Sequence, residues 1–291
     1  VLGGPPCQGF SQLGKRQPKD PRNHLWRKYA ETLEIVQPLY FVMENVANFL
    51  RASQFGELEE ATGPRGILRN YRIEPMILNA ADYGVPQNRK RAIVIGSRRD
   101  LPPVGRPIAR TPEGSASRAT VRTAIADLPL LVDGVDLPST STQIDGMNIS
   151  GPFKTVELHL GRRPTSLSLE RYRHIPPGGN RHNIPTNLLA PCWVGHNSGS
   201  GDVMGRLHWD KPSVTIRTEF WKPEKGRYLH PVADRPITHH EAARLQGFPD
   251  DYLWLGSKAD IGRQIGNAVP VELAASIAEY LTACIANFDT E

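Results

Sequence analysis

The chain has 291 residues, enough for about two domains with a substantial core, which excludes a small stapled scaffold. Hydrophobic residues at 39% and charged residues at 22%, with 26 Gly and 26 Pro, exclude wholesale disorder and a collagen-like repeat. The net charge is +5, but residues 161–230 hold 11 Lys or Arg against 5 Asp or Glu, so this stretch carries +6 and the remainder −1. The same stretch holds Trp193, Trp209 and Trp221, three of the five tryptophans. Basic residues interleaved with aromatics are the footprint of a polyanion site, and a solvated mixed-charge face gives the same counts. No uninterrupted apolar run approaches about 18 residues and Val1–Pro6 resembles no signal peptide, so a cytosolic chain without a membrane partner is expected.

Val1 to Cys7 reads as the end of a strand running into a tight loop, and the chain lacks an initiator Met. Residues 22–37 place Leu25, Tyr29, Leu33 and Val36 on one helical face, stopped by Pro38. Residues 39–43 form a short apolar strand, 55–69 are weakly helical, 71–79 alternate like a strand, and 91–97 carry the apolar run Ala92 to Ile95. This alternation predicts an α/β sheet. From 98 to 237 short elements are separated by Pro, Gly, Ser and Thr, with 176–179 and 196–201 as loops, an irregular second lobe. Thr238 and Glu241 have capping-box spacing, with Gly247 past the end of that helix, and Pro270 opens a long helix over 271–287. The simplest organisation is a catalytic α/β domain built from 1–97 and 238–291, with 98–237 inserted between them.

The three cysteines, Cys7, Cys192 and Cys284, show no CxxC spacing, so a disulfide frame or zinc site has no support, and no metal is expected. Cys7 lies in Gly3-Gly4-Pro5-Pro6-Cys7-Gln8-Gly9, a loop that presents a thiol to a ligand, whereas Cys192 and Cys284 read as structural. Glu44 comes directly off the 39–43 strand, at the carboxyl edge where open α/β sheets bind ligands. There, desolvation raises a carboxyl pKa and suits it to sharing a proton. The plainer reading is a helix cap made by Asn45, with Glu44 incidental. Arg89 and Arg91 stand two apart and share one face if the segment is extended; an exposed edge cluster is the plainer reading of these as well.

In this order, Gly-Pro-Pro-Cys-Gln-Gly at 4–9, Glu44-Asn45-Val46, Gln87-x-Arg89-x-Arg91, Arg244 to Pro249 and Gly266 to Pro270 resemble the signatures of the cytosine-5 DNA methyltransferase family. The resemblance spans nearly the whole chain and is weakest over 98–205. It implies a Rossmann-like class I methyltransferase sheet, partial and lacking its first strands, with a smaller irregular target-recognition domain at 98–237. It also implies S-adenosylmethionine as cofactor and double-stranded DNA as substrate.

The resemblance further assigns roles. Cys7 matches the nucleophile that adds to cytosine carbon 6, Glu44 the residue at ring nitrogen 3, and Arg91 the donor to the carbonyl at ring position 2. Arg89 would serve a phosphate or orient Glu44. Gln8 and Ser11 match the mobile catalytic loop, Arg22 a residue near the phosphates, and Thr215 and Arg217 the end of the recognition domain facing DNA. Because these groups cannot reach a base inside a duplex, base flipping is implied. Pro6, Leu25, Asn267 and Val269 match one wall of the cofactor pocket. The glycine-rich cofactor turn that precedes the cysteine loop in the family is absent, so an amino-terminally truncated sequence that binds cofactor poorly is expected.

The leading expectation is a sequence-specific DNA methyltransferase of a bacterial restriction-modification system, cytoplasmic and nucleoid-associated, monomeric, with a cognate restriction endonuclease as partner. The alternatives are a tRNA-directed cytosine-5 methyltransferase of the same family, and a catalytically silent DNA-binding partner subunit. The roughly 140 residues between the Arg91 strand and the Thr238 helix favour a full duplex-reading lobe over the former; the missing cofactor turn motivates the latter.

Overall fold

A computed structural model describes residues 1–6, 25–132, 134–195 and 201–288. The chain divides into two compact units: 1–80 with 90–109 and 275–291, and 81–89 with 110–274.

The first unit is built on a four-stranded sheet. Strands β1 (Leu2–Gly3), β2 (Tyr40–Val46), β3 (Tyr71–Asn79) and β4 (Lys90–Arg98) stand in the order β1-β2-β4-β3. β1 pairs parallel to β2, while β4 is antiparallel to both β2 and β3. The antiparallel β3–β4 pairing follows from the connection: residues 80–89 contain only a 3-10 turn, and a parallel return needs a crossover of a dozen residues or more.

Helix α1 (Leu25–Val36) buries Trp26, Ala30 and Leu33, spaced to fall on one face. They pack with Phe41 and Met43 of β2, Phe55 and Leu58 of α2 (Ser53–Ala61), and Ala92 and Val94 of β4 into one core. The Tyr29 ring lies so close over Gly3 that a Cβ there would meet it at 2.3 Å, which explains a glycine immediately before the loop. The Tyr29 hydroxyl donates to Val42 O at 2.9 Å and fixes the ring against the strand.

The second unit holds α3 (Val121–Ile125), the hairpin β5 (Ser141–Ile144) and β6 (Met147–Ser150), β7 (Phe153–Lys154) paired with β8 (Leu253–Trp254), α4 (Ser166–Arg173), α5 (His239–Leu245) and α6 (Lys258–Asn267). Its main core includes Phe153, Ile216, Phe220, Tyr228, Leu245, Trp254, Ile261 and Ile265. A smaller cluster gathers Tyr172, Ile175, Ile184, Met204 and Leu229. Thr238 and Glu241 form the expected reciprocal capping box of α5. Gly247 follows with φ +86°, a conformation side chains resist.

Helix α7 (Val271–Phe288) closes the chain. One helical stretch, Lys258–Ala286, is long and apolar enough by length and composition to cross a membrane. It comprises two helices, and Leu273, Ile277 and Leu281, each at most 9% exposed, recur at every fourth residue as in a helix packed against protein.

Candidate active site

Burial along β2 runs unbroken from Tyr40 to Met43 and relaxes at Glu44. In the β2–β4 register Glu44 faces Ile93 and Val46 faces Arg91, so Glu44 and Arg91 are diagonal neighbours on one face of the sheet. Arg91 Nε lies 2.9 Å from Glu44 Oε1, with the two side chains 14% and 21% exposed. A second nitrogen, Arg91 Nη1, donates to Lys90 O at 2.9 Å, which sets the guanidinium plane. Burial pushes the Arg91 guanidinium below its ordinary value, and the adjacent Glu44 carboxylate opposes that shift.

The segment leading to Cys7 lies against this pair. A Cβ on Gly4 would stand 3.6 Å from Glu44 Oε2. Asn45, 5% exposed, donates Nδ2 to Pro5 O at 3.1 Å while its Oδ1 accepts from Val46 N at 2.7 Å. No side chain caps the 3-10 turn Ala47–Arg51 that follows. Asn45 is therefore a tether on the loop rather than a helix cap, and the plainer reading of this motif fails. Cys7, Gln8, Ser11 and Arg22 lie outside the described residues. Pro6 and Leu25, in the same unit, are exposed.

Arg89, Thr215, Arg217, Asn267 and Val269 belong to the second unit. Arg89 is 2% exposed, with Nη1 donating to Ile216 O at 3.0 Å and Nη2 to Gly266 O at 2.9 Å. That geometry corrects the phosphate role expected of it, because a guanidinium sealed onto backbone carbonyls cannot meet a solvated backbone. The guanidinium that orients Glu44 is Arg91. Thr215 and Arg217 are half-buried; Thr215 Oγ1 donates to Asn88 O at 2.9 Å and Arg217 Nη1 to Lys225 O at 3.1 Å. Asn267 is exposed at the end of α6 and Val269 is half-buried just beyond it. Cys192 is exposed and Cys284 half-buried, so neither is the packed structural thiol expected. Among the described residues no cluster of His, Cys, Asp and Glu could hold a metal.

Sequence reasoning missed two glutamines and the role of Asn45. Gln87 and Gln246 are fully buried and hydrogen-bonded to one another, Gln87 Nε2 to Gln246 Oε1 at 2.9 Å. Their sole advance signal was membership in two of the quoted motifs.

The family model for C-5 cytosine-specific DNA methylase matches residues 1–283. A Type II methyltransferase of Haemophilus parahaemolyticus is 37% identical over 284 residues, covering 96% of this chain and 67% of the relative. Another, from Desulfomicrobium norvegicum, is 31% identical over 305 residues, covering 97% and 72%. Among solved structures, a prophage-encoded Escherichia coli protein assigned as a DNA modification methyltransferase superposes with a TM-score of 0.69 at 25% identity, covering 98% of this chain and 78% of that one.

Proposed function

Since this chain belongs to the C-5 cytosine-specific DNA methylase family, we propose that it methylates carbon 5 of a cytosine flipped out of duplex DNA, through a transient bond from Cys7. The observation that carries this reading is the Glu44–Arg91 pair at the end of β2, beside the loop that Asn45 ties down two residues before Cys7.

Cytosine is a weak carbon nucleophile. Addition of the Cys7 thiolate to carbon 6 turns carbon 5 into the nucleophilic end of an enamine, with Glu44 holding the proton at ring nitrogen 3 as the Sγ–C6 bond forms. Arg91 fixes the Glu44 carboxylate and presents its guanidinium to the ring carbonyl. After the methyl group is in place, loss of the carbon 5 hydrogen as a proton restores the double bond and expels Sγ.

Family members use S-adenosylmethionine, which supplies an electrophilic methyl group when bound. Pro6, Leu25, Asn267 and Val269 are the residues that would hold it: Pro6 and Leu25 are exposed apolar side chains, Asn267 is an exposed amide and Val269 is half-buried. Thr215 and Arg217 would face the duplex, as would Gln8, Ser11 and Arg22. Residues 98–237 would carry target recognition, and 1–97 with 238–291 the catalysis. The Type II relatives support a restriction-modification role. The proposal extends to a monomer that acts beside a cognate endonuclease and associates with the bacterial nucleoid.

The test supplies the complete gene product with methyl-labelled S-adenosylmethionine and, separately, duplex DNA and tRNA. Label in 5-methylcytosine of the duplex is the expected result. Label in tRNA alone would favour the RNA branch of the family, and DNA retention without label a silent binding subunit.

A further inference from the structure

We propose that Gln87 is a positioning residue for DNA recognition: with Arg89 it grips the peptide at Ile216 and so sets how Thr215 and Arg217 are presented to the duplex. The inference rests on the reading of the protein as a DNA methyltransferase whose 215–217 segment faces DNA.

Segment 213–217 lies beside 86–89 as a short parallel bridge between Gln87 and Ser213. Asn88 N donates to Ser213 O at 2.8 Å and Ser213 N to Pro86 O at 2.9 Å. Further along, side chains take over from backbone. Ile216 N donates to Gln87 Oε1 at 2.9 Å, and Ile216 O accepts from Arg89 Nη1 at 3.0 Å. Both polar groups of this fully buried residue are thus held by side chains two apart in one motif. Thr215 and Arg217, which flank it, are half-buried.

The Gln87 amide has one workable orientation. Its Oε1 faces a donor, and its Nε2 faces two acceptors, Leu245 O at 3.1 Å and Gln246 Oε1 at 2.9 Å. Gln246 Nε2 in turn donates to Ile265 O. The bonds therefore run in one direction from the Ile216 amide through two glutamines to the backbone of α6, and a flipped amide would set donor against donor. Arg89 reaches the same helix through Gly266 O. At Gly266 the two backbones approach so closely that a Cβ would fall 2.4 Å from Thr218 N. A space-filling residue needs no such directionality. A side chain that must place a recognition group to within about 0.5 Å does.

The test compares the complete wild-type gene product with Gln87→Leu, which removes every bond, and Gln87→Glu, which keeps an acceptor for Ile216 N. Plasmid DNA methylated by each is mapped by bisulfite sequencing, kcat and KM for the plasmid are measured, and hydrogen exchange is followed in the 213–218 peptide. For Gln87→Leu, exchange at 213–218 should quicken by about tenfold and discrimination against single-base variants of the mapped site should fall by a similar factor, with KM rising and kcat at saturating DNA held within about twofold. Gln87→Glu should fall between the two. Faster exchange with unchanged discrimination, or a fall in kcat alone, in either variant that folds, would overturn the proposal. Were the wild-type protein to methylate no duplex, the parent reading would fail and this proposal with it, a result distinct from unchanged discrimination in an active enzyme.

Discussion

Asn45 offers the sharpest structural test of the catalytic loop, because it is the described side chain that bonds the segment two residues before Cys7. Replacing it with Ala strips a donor from Pro5 O, held at 3.1 Å, and an acceptor from Val46 N, held at 2.7 Å. A buried polar group left unpaired costs about 1–3 kcal/mol, and the half-buried Pro5 belongs at the lower end. The two together come to about 2–3 kcal/mol, which lowers the fraction of molecules with the loop held by about 30–150-fold if the whole cost falls there. Asn45→Asp keeps an acceptor for Val46 N while replacing the donor to Pro5 O with an oxygen that the carbonyl repels, for a cost of at least about 1–2 kcal/mol and a rate loss of at least about 5-fold. The assay is single-turnover methylation with saturating DNA and cofactor, with a thermal melt of each variant alongside. An Asn45→Asp protein that melts normally and methylates at the wild-type rate would refute the tether.

Two further outcomes are expected. Glu44→Gln should slow methyl transfer by about 10²–10⁴-fold, the range for a positioned proton-sharing group, while the variant still binds DNA; a native rate would leave Glu44 a mere partner of Arg91. Acid should destabilise the second unit through two buried histidines. His230 and His239 are 2% and 3% exposed, and burial lowers each from 6.5 to about 4. His230 Nδ1 also accepts from Val232 N and Ala233 N, bonds that its protonation destroys. The unfolded chain takes up these protons first, so their stability is fully present above about pH 6.5 and is lost as pH falls from 6.5 toward 4. At pH 5 the loss is about 2 kcal/mol for each histidine. Urea unfolding at pH 7 and pH 5 measures it, and equal stability at the two values would contradict the burial argument.

The strands of the first unit were legible because their signals are local: the 71–79 alternation is β3, and the apolar run at 92–95 forms the centre of β4. The direction of β4 was not, since antiparallel return depends on what lies in 80–89 rather than on the strand itself. Helix α6 was not legible in the sequence, because its helical state depends on Ile261 and Ile265 packing into the second core. At the site, the sequence order of Glu44 and Arg91 reveals their types but not their diagonal register across two strands. Arg89 was misread for a related reason: an arginine in a basic motif looks like a phosphate ligand, and only the fold reveals that backbone carbonyls of 216 and 266 surround it. Buried amides such as Gln87 leave no periodic trace at all, because their partners lie more than a hundred residues away.

The most direct measurement of the central claim is a search for a protein–DNA bond. The complete gene product is incubated with S-adenosylmethionine and a duplex containing 5-fluorocytosine, where fluorine cannot leave as hydrogen does, and the denatured product is digested and weighed by mass spectrometry. A stable adduct on the peptide containing Cys7, lost in Cys7→Ser, is the expected result. Methylation of ordinary cytosine by a Cys7→Ser protein, or an adduct mapped to Cys192 or Cys284, would contradict it.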